Sequence, residues 1–137
     1  MIGFFLPMIP PTVTHQEKKI RVLNGKPVVY EPADLKAARA KLTGMVARYA
    51  PEHPLAGPLQ LVTKWIWPAR HPLLVYEWKT SKPDTDNLIK LLKDCMTAAH
   101  YWNDDAQVAS EITEKFYGQQ PGIYVMIEEL TEEEPDG

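Results

Sequence analysis

Hydrophobic positions change period from segment to segment, and the longest regular run lies in the second half of the chain. Leu88, Leu91, Leu92, Cys95, Met96 and Ala99 recur at i, i+3, i+4, i+7, i+8 and i+11, the apolar stripe of an amphipathic helix. At about 100° per residue, Asp86, Lys90, Lys93, Asp94 and Thr97 fall on the opposite face. Pro83 disfavours helix in the residue before it, and Asp84 or Asp86 is a good N-cap. The spacing therefore predicts a helix from Asn87 to about His100, roughly 20 Å long. A second helical period joins Leu35, Ala38, Leu42, Met45, Val46 and Tyr49, with Pro32 suited to its first turn and Pro51 ending it. Its outer face carries Lys36, Arg39, Lys41 and Arg48, which suit solvent or a phosphate backbone.

The other apolar runs read as strands. Residues 2–9 form a short one ended by Pro10-Pro11, which limits it to an edge or a chain start. Residues 12–23 are polar and basic, with His15, Lys18, Lys19 and Arg21, a flexible arm or hairpin before the turn signal Asn24-Gly25 and the run Val28-Val29-Tyr30. Residues 58–67 are rich in β-branched and aromatic side chains, and a long connection over 68–81 carries Arg70, His71 and Lys79. Val108, Ser110, Ile112, Glu114 and Phe116 alternate with polar neighbours, and Ile123 to Ile127 gives a last, nearly all-apolar strand after the turn at 117–122. Consecutive strands at the end favour a hairpin. The class is α+β: a small mixed β-sheet with two α-helices packed on one face, a single domain over residues 1–130, and an acidic tail over 131–137.

Composition narrows the setting. A chain of 137 residues, 45% hydrophobic and 24% charged, suits one soluble domain. The lone cysteine, Cys95, lies on the apolar stripe, so no intramolecular disulfide can form, and a reducing compartment fits. The apolar N-terminus lacks a basic leading region and is broken by prolines, so neither a signal peptide nor a membrane span is expected, and the expected location is cytoplasmic. The net charge of −3 argues at first against a nucleic-acid partner. Six acids and no base lie from Glu128 onward, however, leaving fifteen basic residues against twelve acidic ones in residues 1–127. The body is mildly basic and the tail a solvated end.

The chemistry concentrates in Lys82-Pro83-Asp84-Thr85-Asp86-Asn87-Leu88-Ile89-Lys90 and Trp102-Asn103-Asp104-Asp105-Ala106-Gln107-Val108. Asp84 and Asp86 sit at the start of the predicted helix, and Asp104 and Asp105 leave from its far end. For Asp105 to rejoin the first pair the chain must turn back past the helix, which the alternation after Gln107 allows. If that strand begins near Asp105, this residue and Lys115 share a face. Clustered aspartates supply the hard oxygens that Mg²⁺ prefers, and a lysine such as Lys90 at the edge of the cluster can stabilise charge on a phosphate. Asp-x-Asp also occurs in phosphatases, glycosyltransferases and calcium loops, and helix capping alone favours acids at a helix start. The glycine and distal glutamate of an EF-hand are missing, and no Gly-rich phosphate loop, paired-cysteine zinc site or Ser-His-Asp arrangement is present.

The stretch Lys82 to Lys90, followed by Asp94, Trp102 to Val108 and Lys115, resembles the RusA family of Holliday junction resolvases. The likeness is good over residues 82–130 and looser at Leu6-Pro-Met-Ile-Pro-Pro11. It implies a homodimeric, Mg²⁺-dependent endonuclease, with Mn²⁺ as a substitute ion, that nicks two strands symmetrically across a four-way DNA junction in recombination and repair. The family's metal-binding aspartates fall on Asp84, Asp86 and Asp105, and its catalytic lysine on Lys90. Asp104, Lys115, Lys82 and Arg70 match or adjoin further characteristic positions, as second shell or DNA contacts. One departure is that no arginine-rich run precedes the first aspartate, so DNA engagement is expected to differ. A less selective nuclease for flaps and other branched DNA, and a non-catalytic binder of branched DNA, remain as alternatives.

Overall fold

A computed structural model of the chain describes residues 1–13, 19–71 and 76–131. His15 and Lys18 of the expected arm, part of the 68–81 connection and the tail beyond Thr131 lie outside the described residues. Five strands form a mixed sheet in the order β1 (Ile2–Leu6), β7 (Gly122–Glu129), β4 (Leu59–Pro68), β6 (Val108–Gly118), β5 (Glu77–Trp78). The strands β2 (Lys19–Leu23) and β3 (Lys26–Tyr30) make a separate hairpin. Its turn is Asn24-Gly25, both residues at positive φ, as a two-residue hairpin connection requires.

Two helices, α1 (Ala33–Ala47) and α2 (Thr85–Ala98), pack on each other and on one face of the sheet, so the class is α+β. Leu35, Leu42 and Val46 of α1 meet Leu88, Leu91, Leu92 and Met96 of α2 in one core with Leu59, Leu61 and Trp65 of β4 and Ile123, Val125 and Ile127 of β7. The buried Trp65 donates Nε1–H to Thr63 Oγ1 at 2.9 Å, so these two polar atoms of the apolar layer are paired with each other. The opposite face of the sheet is open. Tyr76, Trp78, Ile112, Tyr124 and Met126 are exposed there, with Phe116 packed between the Tyr76 and Trp78 rings. Among the described residues no helix is long and apolar enough to cross a membrane.

The expected terminal hairpin is not formed. β6 and β7 are not neighbours: β4 lies between them, parallel to β6 and antiparallel to β7. The connection from Gly118 to Gly122 steps over the end of β4. The physical reason is burial, since β4 is buried at six of its ten residues, whereas β6 is mostly half-exposed. The most apolar strand takes the centre, and sequence adjacency yields to it. Helix α2 also starts two residues before the expected Asn87, with Asp84 in the N-cap position.

What ends α2 matters for the site. His100 adopts φ 65°, and the Tyr101 N–H then reaches back to the Met96 carbonyl at 3.1 Å, closing the last turn. Tyr101 and Trp102 are both buried just beyond it, and the Tyr101 hydroxyl donates to the Val46 carbonyl of α1. The chain leaving α2 is thus anchored before it reaches Asn103.

At the other edge, a Cβ on Gly122 would overlap the Phe5 ring and come within 2.6 Å of the Leu6 carbonyl oxygen. Gly122→Ala is expected to lower the unfolding free energy by about 1–3 kcal/mol, measured by urea denaturation, because β1 can move aside only by breaking its ladder with β7.

Candidate active site

Asp84 and Asp86 stand together at the N-terminus of α2, where the helix dipole favours negative charge. Asp84 holds the N-cap position without a side-chain capping hydrogen bond. Among the described residues its carboxylate accepts only from Lys82 Nζ, at 3.1 Å and in solvent. Asp86 is exposed and makes no hydrogen bond or ion pair among the described residues. Helix capping therefore does not account for these two acids.

The segment entering α2 is held from below by β6. Lys115 Nζ donates to the carbonyls of Ser81 and Pro83, both at 2.7 Å. Burial, then the nearby charge of Lys79, pushes the Lys115 pKa below its ordinary value, while Asp84 opposes that shift. Lys115 is thus a positioning residue for Asp84.

Lys90, one turn along α2 from Asp86, points its ammonium away from it and pairs with Asp94 at 3.0 Å. Asp94 also accepts from Arg39 of α1 at 3.3 Å, and Arg39 is clamped by Glu31 at 2.8 Å. Arg39, grouped by its spacing with the outer basic face of α1, instead joins the two helices. Burial raises the Asp94 pKa, but the hydrogen bonds and charges of Lys90 and Arg39 outweigh it and hold the carboxyl below its ordinary 3.8.

At the far end of α2, Asp104 and Asp105 have different surroundings. Asp104 Oδ1 accepts from the Ala106 N–H at 2.8 Å and caps the 3₁₀ turn Asp105–Gln107. Gln107 completes that cap: its Oε1 accepts from the backbone of Asn103 and Asp104, at 3.0 and 3.1 Å. Its Nε2 donates to the carbonyls of Leu55 and Gly57, at 2.9 and 3.1 Å. The carboxylate of Asp105, a half-buried residue, makes no hydrogen bond or ion pair among the described residues.

Asp105 does not rejoin Asp84 and Asp86 within one chain. The chain does turn back, but only after Asp105, so the residue that returns to the start of α2 is Lys115. Two rulers agree on the separation: the fourteen residues of α2 span about 20 Å, and the seven steps from Val108 to Lys115 span about 23 Å. The Lys93–Glu111 ion pair, 2.9 Å, fixes helix and strand antiparallel between those ends. Among the described residues no three His, Cys, Asp or Glu side chains are placed to hold a metal ion. The aspartates of a single chain thus do not form a metal cage.

Arg70 lies apart from the acids, in a pocket of about 370 Å³ lined with His71, Glu77, Ser81 and Tyr117. Ser81 and Tyr117, which sequence reasoning passed over, occupy this side of the site with Lys79. Lys79 Nζ donates to Ser81 Oγ at 2.6 Å and to the Tyr117 hydroxyl at 3.2 Å. Tyr117 follows Lys115 by the strand period of two, a signal that could have placed it beside Lys115.

A family model, endodeoxyribonuclease RusA, matches residues 8–128. The chain belongs to the RusA endodeoxyribonuclease family. A RusA member named crossover junction endodeoxyribonuclease, from Lactococcus phage r1t, is 29% identical over 117 residues, covering 85% of this chain and 89% of its own. The uncharacterized protein YqaN of Bacillus subtilis (strain 168) is 29% identical over 121 residues, covering 80% of this chain and 84% of its own. In this RusA nuclease the open acids, Asp84, Asp86 and Asp105, are those at the two ends of α2.

The helix–helix link sets a pH dependence. The folded value for Asp94 is depressed, so its contribution to stability is complete above pH 3.8 and is lost as the pH falls through the lower folded value. Asp94→Asn is expected to flatten the fall of unfolding free energy below about pH 4, followed by urea denaturation across pH, and to lower stability at neutral pH.

Proposed function

We propose that this RusA nuclease works as a symmetric pair of subunits that resolves four-way DNA junctions by paired nicks, with Asp84 and Asp86 of one copy sharing a cation with Asp105 of the other. The carrying observation is the contrast between occupied and open acids. Asp94 and Asp104 have structural partners, whereas among the described residues the Asp86 and Asp105 carboxylates have none and that of Asp84 has only a solvated lysine. About 20 Å separates the open ones in a single chain, and a two-fold axis that runs α2 antiparallel to its mate reverses that separation.

The edge of β6 supports such a pairing. β5 and Lys79 cover β6 only from Lys115 onward, so Val108–Glu114 has no strand partner on that side among the described residues. An exposed row of N–H and C=O groups is a template for another strand. Matched antiparallel with its own copy about Glu111, this stretch sets Asp105 of one copy roughly level with Tyr117 of the other, beside the Lys115 that holds Pro83. Both sites form together, which suits two symmetric incisions.

Held between such carboxylates, Mg²⁺, or Mn²⁺ in its place, supplies charge neutralisation at the phosphate and a more acidic water. The protein's own part is to set the carboxylates at fixed positions, through the Lys115 staple at one end of α2 and the Asp104–Gln107 cap at the other. Lys90 is the cation on the same face as Asp86, and release from Asp94 would let it reach a phosphate.

Complementation tests this reading. Asp86→Asn and Asp105→Asn chains are each expected to leave a synthetic four-way junction uncut in Mg²⁺. Co-expressed in equal amounts, they are expected to regain about a quarter of the parent's nicking, because half the pairs are mixed and each mixed pair has one intact site. A mixture as inactive as its components would return all three aspartates to one chain and sink the shared site. Full activity in Asp86→Asn alone would remove that residue from the chemistry.

A further inference from the structure

We propose that Lys79, Ser81 and Tyr117 form a binding site for a phosphodiester of the DNA backbone, one or two nucleotides from the cut. The inference rests on the nuclease reading above and assigns residues to a strand contact that reading leaves open. Three donors converge at this point. The Lys79 ammonium lies 2.6 Å from Ser81 Oγ and 3.2 Å from the Tyr117 hydroxyl, and these two oxygens are themselves 3.2 Å apart.

The ammonium is also fixed from the side by two rings, 5.2 Å from the centroid of Trp67 and 5.0 Å from that of Tyr117. A lysine so held has lost much of the freedom that makes a surface ammonium a poor recognition element, since its rotamer entropy is already removed. It carries a full charge that no carboxylate balances: among the described residues Lys79 has no ion pair. Lys115, pinned to the Ser81 and Pro83 carbonyls, adds a second cation behind it. The hydrogen bonds with Ser81 and Lys79 also draw the half-buried Tyr117 phenol below its ordinary pKa, making it a better donor to an anion.

Position completes the argument. Ser81 is three residues before Asp84, at most about 10 Å of chain, so a phosphate here and one at the acids can belong to the same strand. On the other side lies the pocket with His71 and Arg70, whose guanidinium continues the cationic track away from the acids. Its one carboxylate, Glu77, faces His71 at 3.7 Å. The segment carrying Lys79 and Ser81 thus supplies, from the side of the sheet, a cation additional to Lys82, whose ammonium is engaged by Asp84.

The test measures binding without cleavage. A labelled four-way junction is titrated with the Asp86→Asn protein in EDTA over a range of NaCl concentrations. Adding Lys79→Met is expected to weaken binding about tenfold at low salt, and to lower the slope of log K against log salt by about 0.9 for each phosphate contact removed. Lys79→Arg is expected to retain both affinity and slope, and Tyr117→Phe, which keeps the ring, to weaken binding about threefold. Unchanged affinity in Lys79→Met, or weaker binding with an unchanged slope, would overturn the phosphate site, because a packing defect releases no counterions. No binding by the Asp86→Asn parent would instead remove the branched-DNA reading itself.

Discussion

Burial of one face of α2 is the constraint on which the rest of the molecule depends. Asn87, Leu88, Ile89, Leu91, Leu92, Cys95 and Met96 are all buried on it, and large side chains of this kind each contribute about 1.5–3 kcal/mol when removed from water. A slip of one residue would rotate the stripe by about 100° and expose most of it. The helix can therefore neither slide nor turn, and the acids at its two ends are held at a set separation. The sheet adds a second fixed length, because β6 runs back along the helix and is tied to it by Lys93 and Glu111 midway.

This rigidity explains how the acids divide their roles. An aspartate at a helix end has two uses, to cap backbone N–H groups or to face a ligand. Asp104 does the first through the Ala106 N–H. Asp84 occupies an N-cap position yet caps nothing with its side chain. Asp94, in the middle of the polar face, is engaged by Lys90 and Arg39 and joins the helices. Sequence spacing treats these carboxylates alike, and only their surroundings separate them.

Much of this was legible in the sequence where local physics decides. The 3.6-residue period marked both helices, Asn24-Gly25 marked its hairpin, and Pro10-Pro11 marked the first strand for an edge, although that strand already ends at Leu6, before Pro7. Where the outcome depends on competition between distant segments, the sequence was silent. The order of strands followed from β4 being the most deeply buried and so taking the centre, which separated β6 from β7 despite their short connection. The position of Asp105 followed from where the chain reverses, and that was set by the buried Tyr101 and Trp102 and by His100 at positive φ. The alternation expected to start near Asp105 starts at Val108, and those three residues decide which side chain travels back to the start of the helix.

Gln107 illustrates how narrowly such an arrangement can be specified. Its amide accepts two N–H groups through one atom and donates to two carbonyls through the other, tying the turn that carries Asp105 to the loop at Leu55 and Gly57. A carboxylate of the same length could only accept, and would turn negative oxygens towards the two carbonyls. An ammonium could only donate. The carboxamide is thus irreplaceable by any charged side chain of similar reach, so the placement of Asp105 is governed by a neutral neighbour.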